Sequence, residues 1–517
     1  MRVSDYFDAT AQRQPERVAI VEGDVEMNFG DAQRFVHAVA HALDREPGLR
    51  RGAHVAIYAP NHLRIPLLHL GINRSDRAWL SVHTRNPVEV NLQVLGSMDC
   101  EFVFFHSAYA AVVPQLRAGL PKVVKFVCID RASEHGPSID EWIADCWQPY
   151  AAGEEDPLSP AFVQPTGGTT GPSKAAVHAH RGLETSFMAG LDGMDITDQT
   201  RYLAVAPLTH AGGITAQHTL LAGGCVVVVN MTHPEQVFDA IERWKITHVF
   251  LPPTVMYMLL ALPRAKTADC SSLRRFFTGA APTAPEKTKE ATRLFGPVMA
   301  EGYGLTECGM PLIVKKPSDY VLPDGGFDEE ALRSAGRAVR VARVEIMGPD
   351  GRILPAGERG EIVVQSGTAM LGYYKNPDET AAHKLHGWRH TGDVGVKDAR
   401  GFITIVDRLK DMIVSGGFNV FPAQVEAVIL GHDAVMECAV VGVPDEKWGE
   451  AVKAVVQLKP GRTASEDELI SLCRDRLGGV YAPKSVEFWP ELPRSAVGKL
   501  LRREVRAKYW QGQWRSV

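Results

Sequence analysis

The chain lacks a long apolar run, a paired-cysteine motif, a basic field and an internal repeat. Its longest aliphatic stretches, such as Val226 to Val229, are far too short to span a bilayer, which takes about 20 residues. No integral membrane segment is therefore expected. The eight cysteines (Cys100, Cys128, Cys146, Cys225, Cys270, Cys308, Cys438, Cys473) are scattered, and none forms a C-x-x-C pair. Neither a zinc site nor a disulfide framework is suggested, and reduced thiols are expected. Lys and Arg number 56 against 61 Asp and Glu, a net charge of −5. That balance argues against a dedicated nucleic-acid partner, which would need a basic field. The start, MRVSDYFDATAQRQPERVAI, is polar and charged early, unlike a secretory signal. A soluble, cytoplasmic protein is the expectation.

What is present is ordinary globular material in quantity. Hydrophobic residues make up 45% and charged residues 23% of 517 residues, enough chain for more than one core. Asp31 to Leu43 has apolar residues at helical spacing, and His54 to Tyr58 reads as a buried strand. Cys225 to Asn230 (strand), Pro234 to Trp244 (helix) and Thr247 to Leu251 (strand) repeat the alternation. Repeated β-then-α units predict an α/β fold: a large N-terminal domain of stacked α/β subdomains with parallel sheets. The turn-rich, acidic run from Ala151 to Pro160 reads as a surface connection. Character changes again around Asp407 to Asp411. After it come short strands (Cys438 to Val443, Ala451 to Leu458), a helix near Glu466 to Leu477 and a basic tail. The expected division is residues 1–407 and a small α+β C-terminal domain, residues 408–517.

The segment Thr166-Gly167-Gly168-Thr169-Thr170-Gly171-Pro172-Ser173-Lys174 has the make-up of a phosphate grip. Its glycines let backbone N–H groups turn toward an anion, its threonines add hydroxyl donors, and Lys174 adds a point charge. It is not a Walker A loop, because the lysine does not directly follow a glycine at the required spacing. On these residues alone, a flexible Gly/Thr turn between strands remains an alternative.

Other segments follow in order: Thr278-Gly279-Ala280-Ala281-Pro282, Glu301-Gly302-Tyr303-Gly304-Leu305-Thr306-Glu307, Gly360-Glu361 through Gly372-Tyr373 and Asn376-Pro377, Thr391-Gly392-Asp393, Asp407-Arg408-Leu409-Lys410-Asp411, and Pro493-Arg494-Ser495 with Gly498-Lys499. With the Thr166–Lys174 loop, this series resembles the adenylate-forming superfamily of acyl-CoA synthetases, nonribosomal adenylation domains and luciferases, over nearly the whole chain. The resemblance implies an enzyme that joins a carboxylic acid to ATP as acyl-AMP, then passes it to a thiol. Such chemistry brings two anions together, so the site must neutralise charge. Lys499 is implied as the bridging catalytic cation, with Thr306 donating to the α-phosphate and Glu307 holding Mg2+. Thr278 to Pro282, with Gly279, Ala280 and Ala281, resembles the adenine turn. Glu301 and Gly302 lead into Tyr303, which would face the base, followed by Gly304. Asp393 and Arg408 would grip the ribose. Lys410 stands at the family's hinge, about which the C-terminal domain rotates between half-reactions. Ser415, Gly416, Gly417 and Phe418 would line a channel for the thiol, with a plain β-turn as the rival reading. Departures are mild: Gly167 for the usual serine, Ser173 for proline, Ala175 for a common glycine, Gln424 for glutamate and Ser495 for threonine.

His210, in Pro207-Leu208-Thr209-His210-Ala211-Gly212-Gly213, matches the family's aromatic or histidine gate beside the acyl pocket. The segment lacks the aspartate of amino-acid-activating relatives. Gly302 stands where malonate-type relatives carry an arginine. Gly212, Gly213, Gly279, Gly302 and Gly304 lack side chains, so a deep pocket is expected beneath Thr278, apolar where Ile214 and Met310 line it. A fatty or aryl carboxylic acid is the expected substrate. Thr368 to His390 runs without the insertion typical of ligases that load carrier proteins, so coenzyme A is the expected acceptor. ATP and Mg2+ complete the expected cofactors. Of the basic tail (Arg494, Lys499, Arg502, Arg503, Arg506, Lys508, Arg515), most is expected as a solvated helix face, with the CoA phosphates as an alternative partner. A carrier-loading adenylation enzyme, a non-catalytic nucleotide binder and a luciferase-like oxygenase stay open as rivals, and self-association as a homodimer stays open too.

Overall fold

The structure, a computed structural model, describes residues 1–166, 174–494 and 500–511. The chain packs into two compact units, Met1–Val344 with Val364–Arg389, and Glu345–Val363 with His390–Val517. Residues 345–363 and 390–407 lie before the expected 407/408 division yet pack with the C-terminal unit.

The first unit is built on two sheets. The larger, nine-stranded among the described residues, runs in the order Arg337–Ala338, Gly309–Lys315, Met299–Leu305, Arg275–Gly279, His248–Leu251, Arg201–Ala204, Cys225–Val228, Val18–Glu22, Val25–Asn28. Its centre is parallel and its ends antiparallel. The seven-stranded sheet runs Gly372–Tyr373, Ala175–Ala179, Pro160–Pro165, Ala78–Leu80, His54–Tyr58, Cys100–Phe105, Lys125–Cys128. It too is parallel at its centre. Strands buried on both faces need no polar alternation, which is why Cys225–Val228 reads as an unbroken apolar run.

Period-two alternation assigns the two sides of the smaller sheet. Val55 and Ile57 enter one core with Tyr202 and Val226 of the other sheet, whereas Ala56 and Tyr58 enter a second core on the opposite face. Helices Phe29–Arg45, Arg64–Arg74 and Ala211–Ala222 contribute to the shared core. The first of these starts where the Asn28 side chain accepts the Asp31 N–H at 2.7 Å. The expected strand at His54–Tyr58 is found with the same bounds, and the expected helix at Asp31–Leu43 extends to Phe29–Arg45. Residues 151–160 form an exposed connection inside the first unit and do not separate units.

The second unit has a sheet in the order Phe418–Val420, Ile413–Ser415, Gly449–Leu458, Val435–Asp445, with Ser485–Phe488 beside Gly449–Leu458. Helix Glu466–Leu477 starts on a capping box, Ser465 with Glu468, and carries acids in its first turn and arginines in its last. The tail forms helix Arg502–Trp510, whose Val505 is fully buried. Its charges are in part the solvated face expected from sequence, with Arg503 and Lys508 exposed, and in part paired. Arg502 donates from Nε to Glu426 at 2.8 Å, Arg506 pairs with Glu450 at 2.8 Å, and Lys508 pairs with Glu487 at 3.2 Å. All eight cysteines are buried and none is in a disulfide. Among the described residues, no helix is long and apolar enough to cross a membrane.

Candidate active site

In the first unit, the loop that suggested a phosphate grip joins strands Pro160–Pro165 and Ala175–Ala179, which pair antiparallel. Its base is closed by the Thr166 N–H donating to Lys174 O at 2.7 Å. Gly167, Gly168, Thr169, Thr170 and Gly171 lie outside the described residues. Lys174 is described: its ammonium pairs with Glu379 at 2.6 Å and sits 5.4 Å from the centre of the Tyr373 ring.

Thr306 and Glu307 occupy the tip of a hairpin between strands Met299–Leu305 and Gly309–Lys315. Several residues that sequence reasoning did not single out fix this tip. The Tyr373 hydroxyl donates to Glu307 Oε1 at 2.8 Å, and burial followed by the Glu307 charge pushes the phenol pKa up. Thr368 Oγ1 donates to Cys308 O at 2.6 Å. Beneath it, burial lowers the pKa of His178 to about 4, outweighing the nearby backbone of Thr306 and Thr368 and the Glu307 charge, which favour the protonated ring. Tyr373 stands in the Gly372-Tyr373 motif without a role read for it, and His178 and Thr368 carry no sequence signal beyond proximity to a motif.

The turn after strand Arg275–Gly279 places Ala280 in the left-handed region, at φ +67°. Glu301, expected among the nucleotide-binding groups, directs its carboxylate at Lys315 and the Thr283 N–H. The bare glycines do not by themselves supply the depth expected of an acyl pocket. A Cβ on Gly302 would lie 2.4 Å from the Phe277 ring, on Gly304 2.7 Å from Gly309 O, and on Gly279 2.9 Å from Gly302 O. One on Gly213 would lie 1.9 Å from Leu208 O, and one on Gly212 2.7 Å from Ala206 O. These glycines admit neighbouring backbone and rings, so their missing side chains open no hollow.

The gate segment is stitched down. Asn61 Oδ1 accepts the Leu208 N–H at 2.9 Å, Ser81 Oγ donates to Thr209 O at 2.6 Å, and Thr209 Oγ1 donates to Val82 O at 2.9 Å. His210 heads helix Ala211–Ala222, and its ring packs on His83 at 3.9 Å between centroids. Burial, with the His83 charge second, lowers the His210 pKa to about 3, and burial lowers His83 likewise. Ile214 lies one turn along, packed against the shared core. Met310 packs beside Gly304, and its carbonyl accepts from Ser186 Oγ at 2.6 Å.

In the second unit, strands Trp388–Lys397 and Ile403–Arg408 set Asp393 opposite Arg408, and Arg408 Nε meets Asp393 Oδ1 at 3.0 Å. Asp393 is buried and Arg408 half-exposed, so the carboxylate is fixed while the guanidinium keeps freedom. Glu361 braces this strand by accepting the Gly392 N–H at 2.9 Å and pairing with His390 at 2.8 Å. Lys410 is exposed in a single turn, Leu409–Asp411. Gly416 and Gly417 make the two-residue turn of a hairpin at φ +58° and +83°, next to buried Ser415 and exposed Phe418. The Trp448 ring would lie 2.5 Å from a Cβ at Gly416. Lys499 lies outside the described residues. At either side of it, Leu501 N–H donates to Pro493 O at 2.9 Å.

Two family models cover this arrangement: AMP-binding enzyme over residues 7–374, and AMP-binding enzyme C-terminal domain over residues 424–499. The chain belongs to the AMP-binding enzyme family. It is 34% identical over 503 residues to a feruloyl-CoA synthase from Amycolatopsis sp, spanning 96% of this chain and 97% of that protein. It is 38% identical over 405 residues to the medium/long-chain-fatty-acid–CoA ligase FadD8 of Mycobacterium tuberculosis (77% of this chain, 68% of that one). Among solved structures it is similar to the amide bond synthetase McbA from Marinactinospora thermotolerans, with TM-score 0.89, 29% identity and coverage of 98% and 100%. The adenylate-forming superfamily expected from the motifs, and its large α/β domain with parallel sheets followed by a smaller domain, are thus found. CoA ligases of this family use ATP and CoA.

Proposed function

We propose that this chain is an ATP-dependent acid–CoA ligase that activates a fatty or aryl carboxylic acid as acyl-AMP and transfers it to the CoA thiol. The observation that carries this reading is 34% identity to a feruloyl-CoA synthase over 96% of this chain, with the adenylation motifs in order and only mild departures from them. The cytoplasm, where ATP and CoA are at hand, is the proposed location.

Thr306 sits beside Glu307 at a rigid hairpin tip, the right place for a hydroxyl donor to an α-phosphate oxygen. One Glu307 oxygen is used by Tyr373, leaving the other for a cation. A single carboxylate fits Mg2+, which favours one or two carboxylates with phosphates and water; among the described residues no His, Cys, Asp or Glu cluster of three forms. Bound there, Mg2+ would supply charge neutralisation at the phosphates. The Asp393 carboxylate accepts from ribose hydroxyls, and Arg408 can donate to them. Lys174 and the loop before it grip the departing pyrophosphate, and Tyr303 lies along the base. Lys499 bridges the carboxylate and the α-phosphate, balancing the charge that develops as the acid oxygen attacks phosphorus and pyrophosphate leaves. Residues 408–517 then swivel about Lys410, withdrawing the lysine and bringing Ser415, Gly416, Gly417 and Phe418 to the thiol path. His210 gates the acyl site near Ile214, Thr278 and Met310.

A panel of carboxylic acids with ATP, Mg2+ and CoA, scored for AMP and acyl-CoA by mass spectrometry, tests the proposal. Fatty or aromatic acids should give both products, and Lys499→Ala should lose adenylation. Preference for amino acids or small dicarboxylates, or turnover only with an amine or carrier-protein acceptor, would overturn it.

A further inference from the structure

Lys315 ends strand Gly309–Lys315, directly opposite Glu301 in the antiparallel register. It is 1% exposed, and a lysine that deep must satisfy its charge and all of its donors. It does so: Nζ meets Glu301 Oε2 at 2.8 Å, Leu332 O at 2.8 Å and Ser334 O at 2.7 Å. The other oxygen of Glu301, Oε1, accepts the backbone N–H of Thr283 at 3.2 Å. Thr283 in turn shares a hydroxyl contact of 3.0 Å with Thr278, which reaches Ala300 O at 3.3 Å. The ammonium thus holds a carboxylate, and the carboxylate holds the far end of the Thr278–Thr283 turn. That turn needs holding, since Ala280 sits at positive φ without being glycine. A buried ion pair contributes little net stability compared with apolar packing of equal volume, so its retention here points to geometry.

We propose that Glu301, its buried charge balanced by Lys315, is a positioning residue for the nucleotide, acting through the Thr283 N–H to fix the turn against which the adenine is read. This rests on the assignment of that turn to the nucleotide under the proposed function. Breaking only one member would leave a lone buried charge, so neutral pairs are the informative variants. Lys315→Met/Glu301→Gln keeps an acceptor facing Thr283, whereas Lys315→Met/Glu301→Leu keeps the volume without one. The expected result is an ATP Kd about tenfold weaker in the leucine pair and mostly restored in the glutamine pair, with the KM for the acid unchanged in both. Equal ATP affinity in the two variants, or ATP and acid affinities falling together, overturns the relay and leaves the nucleotide assignment standing. If the leucine pair does not fold, the glutamine pair decides: a folded protein with a tenfold loss in ATP affinity overturns the relay. A wild-type chain that binds no ATP overturns the nucleotide assignment itself, and this inference with it.

Discussion

Acidification to about pH 5 should unfold the first unit from within. His69 and His180 are fully buried, His218 nearly so. Among the described residues, both nitrogens of His69 and His180, and Nδ1 of His218, have no hydrogen-bond partner. Burial lowers His69 and His218 from 6.5 to about 3, and His180 to about 4. Below 6.5 the unfolded chain takes up a proton at each site while the folded chain does not. Stability therefore falls as pH falls from 6.5 toward these folded values. For a group still neutral at about pH 5, the loss is set by the unfolded pKa alone, roughly 1.5 units or ~2 kcal/mol each. Three such groups remove ~6 kcal/mol, comparable with the whole stability of a domain at 5–15 kcal/mol. Thermal and urea melts from about pH 7.5 to 5 should show the first unit losing its midpoint steeply. Unfolding near pH 5, followed in buffers of different ionisation enthalpy, should take up about three protons from this set. An uptake below one proton, or a midpoint flat across that range, would refute the reasoning.

Tyr373→Phe removes the donor to Glu307 without changing shape, so adenylation should fall about tenfold and need more Mg2+, read by pyrophosphate exchange. Unchanged Mg2+ dependence would argue that Tyr373 merely packs. His83→Ala takes away the ring packed against His210, so the order of preference among acids should shift while the ATP KM holds; an unaltered acid profile sinks that role. Lys410→Pro restrains the exposed turn at the proposed swivel, so acyl-AMP should form normally while acyl-CoA release slows by about tenfold or more. Equal slowing of both half-reactions, measured in single-turnover experiments, would count against it.

The architecture was legible because parallel strands announce themselves as short apolar runs, as at His54–Tyr58 and Cys225–Val228. The order of the motifs was legible for a chemical reason: glycines, hydroxyls and charges must recur wherever phosphates are handled. Tertiary partners were not legible. Tyr373, His178 and Thr368 reach the Thr306–Glu307 tip through pairings across long stretches of chain, and Lys315 looks from sequence like an ordinary strand-end cation. Nor were the acidic partners of the basic tail legible, since Glu426, Glu450 and Glu487 come from well upstream. Reading glycines as empty space failed because a missing side chain shows only what is absent, never what has moved in.

That last point bears on how this protein's specificity can change. The position before Tyr303, where an arginine would receive a second carboxylate, is occupied in space by the edge of Phe277. Any side chain introduced there meets a ring before it meets a substrate. A route to diacids through this position therefore requires the Phe277 ring to shift or be made smaller, and shrinking a buried ring costs packing in the core.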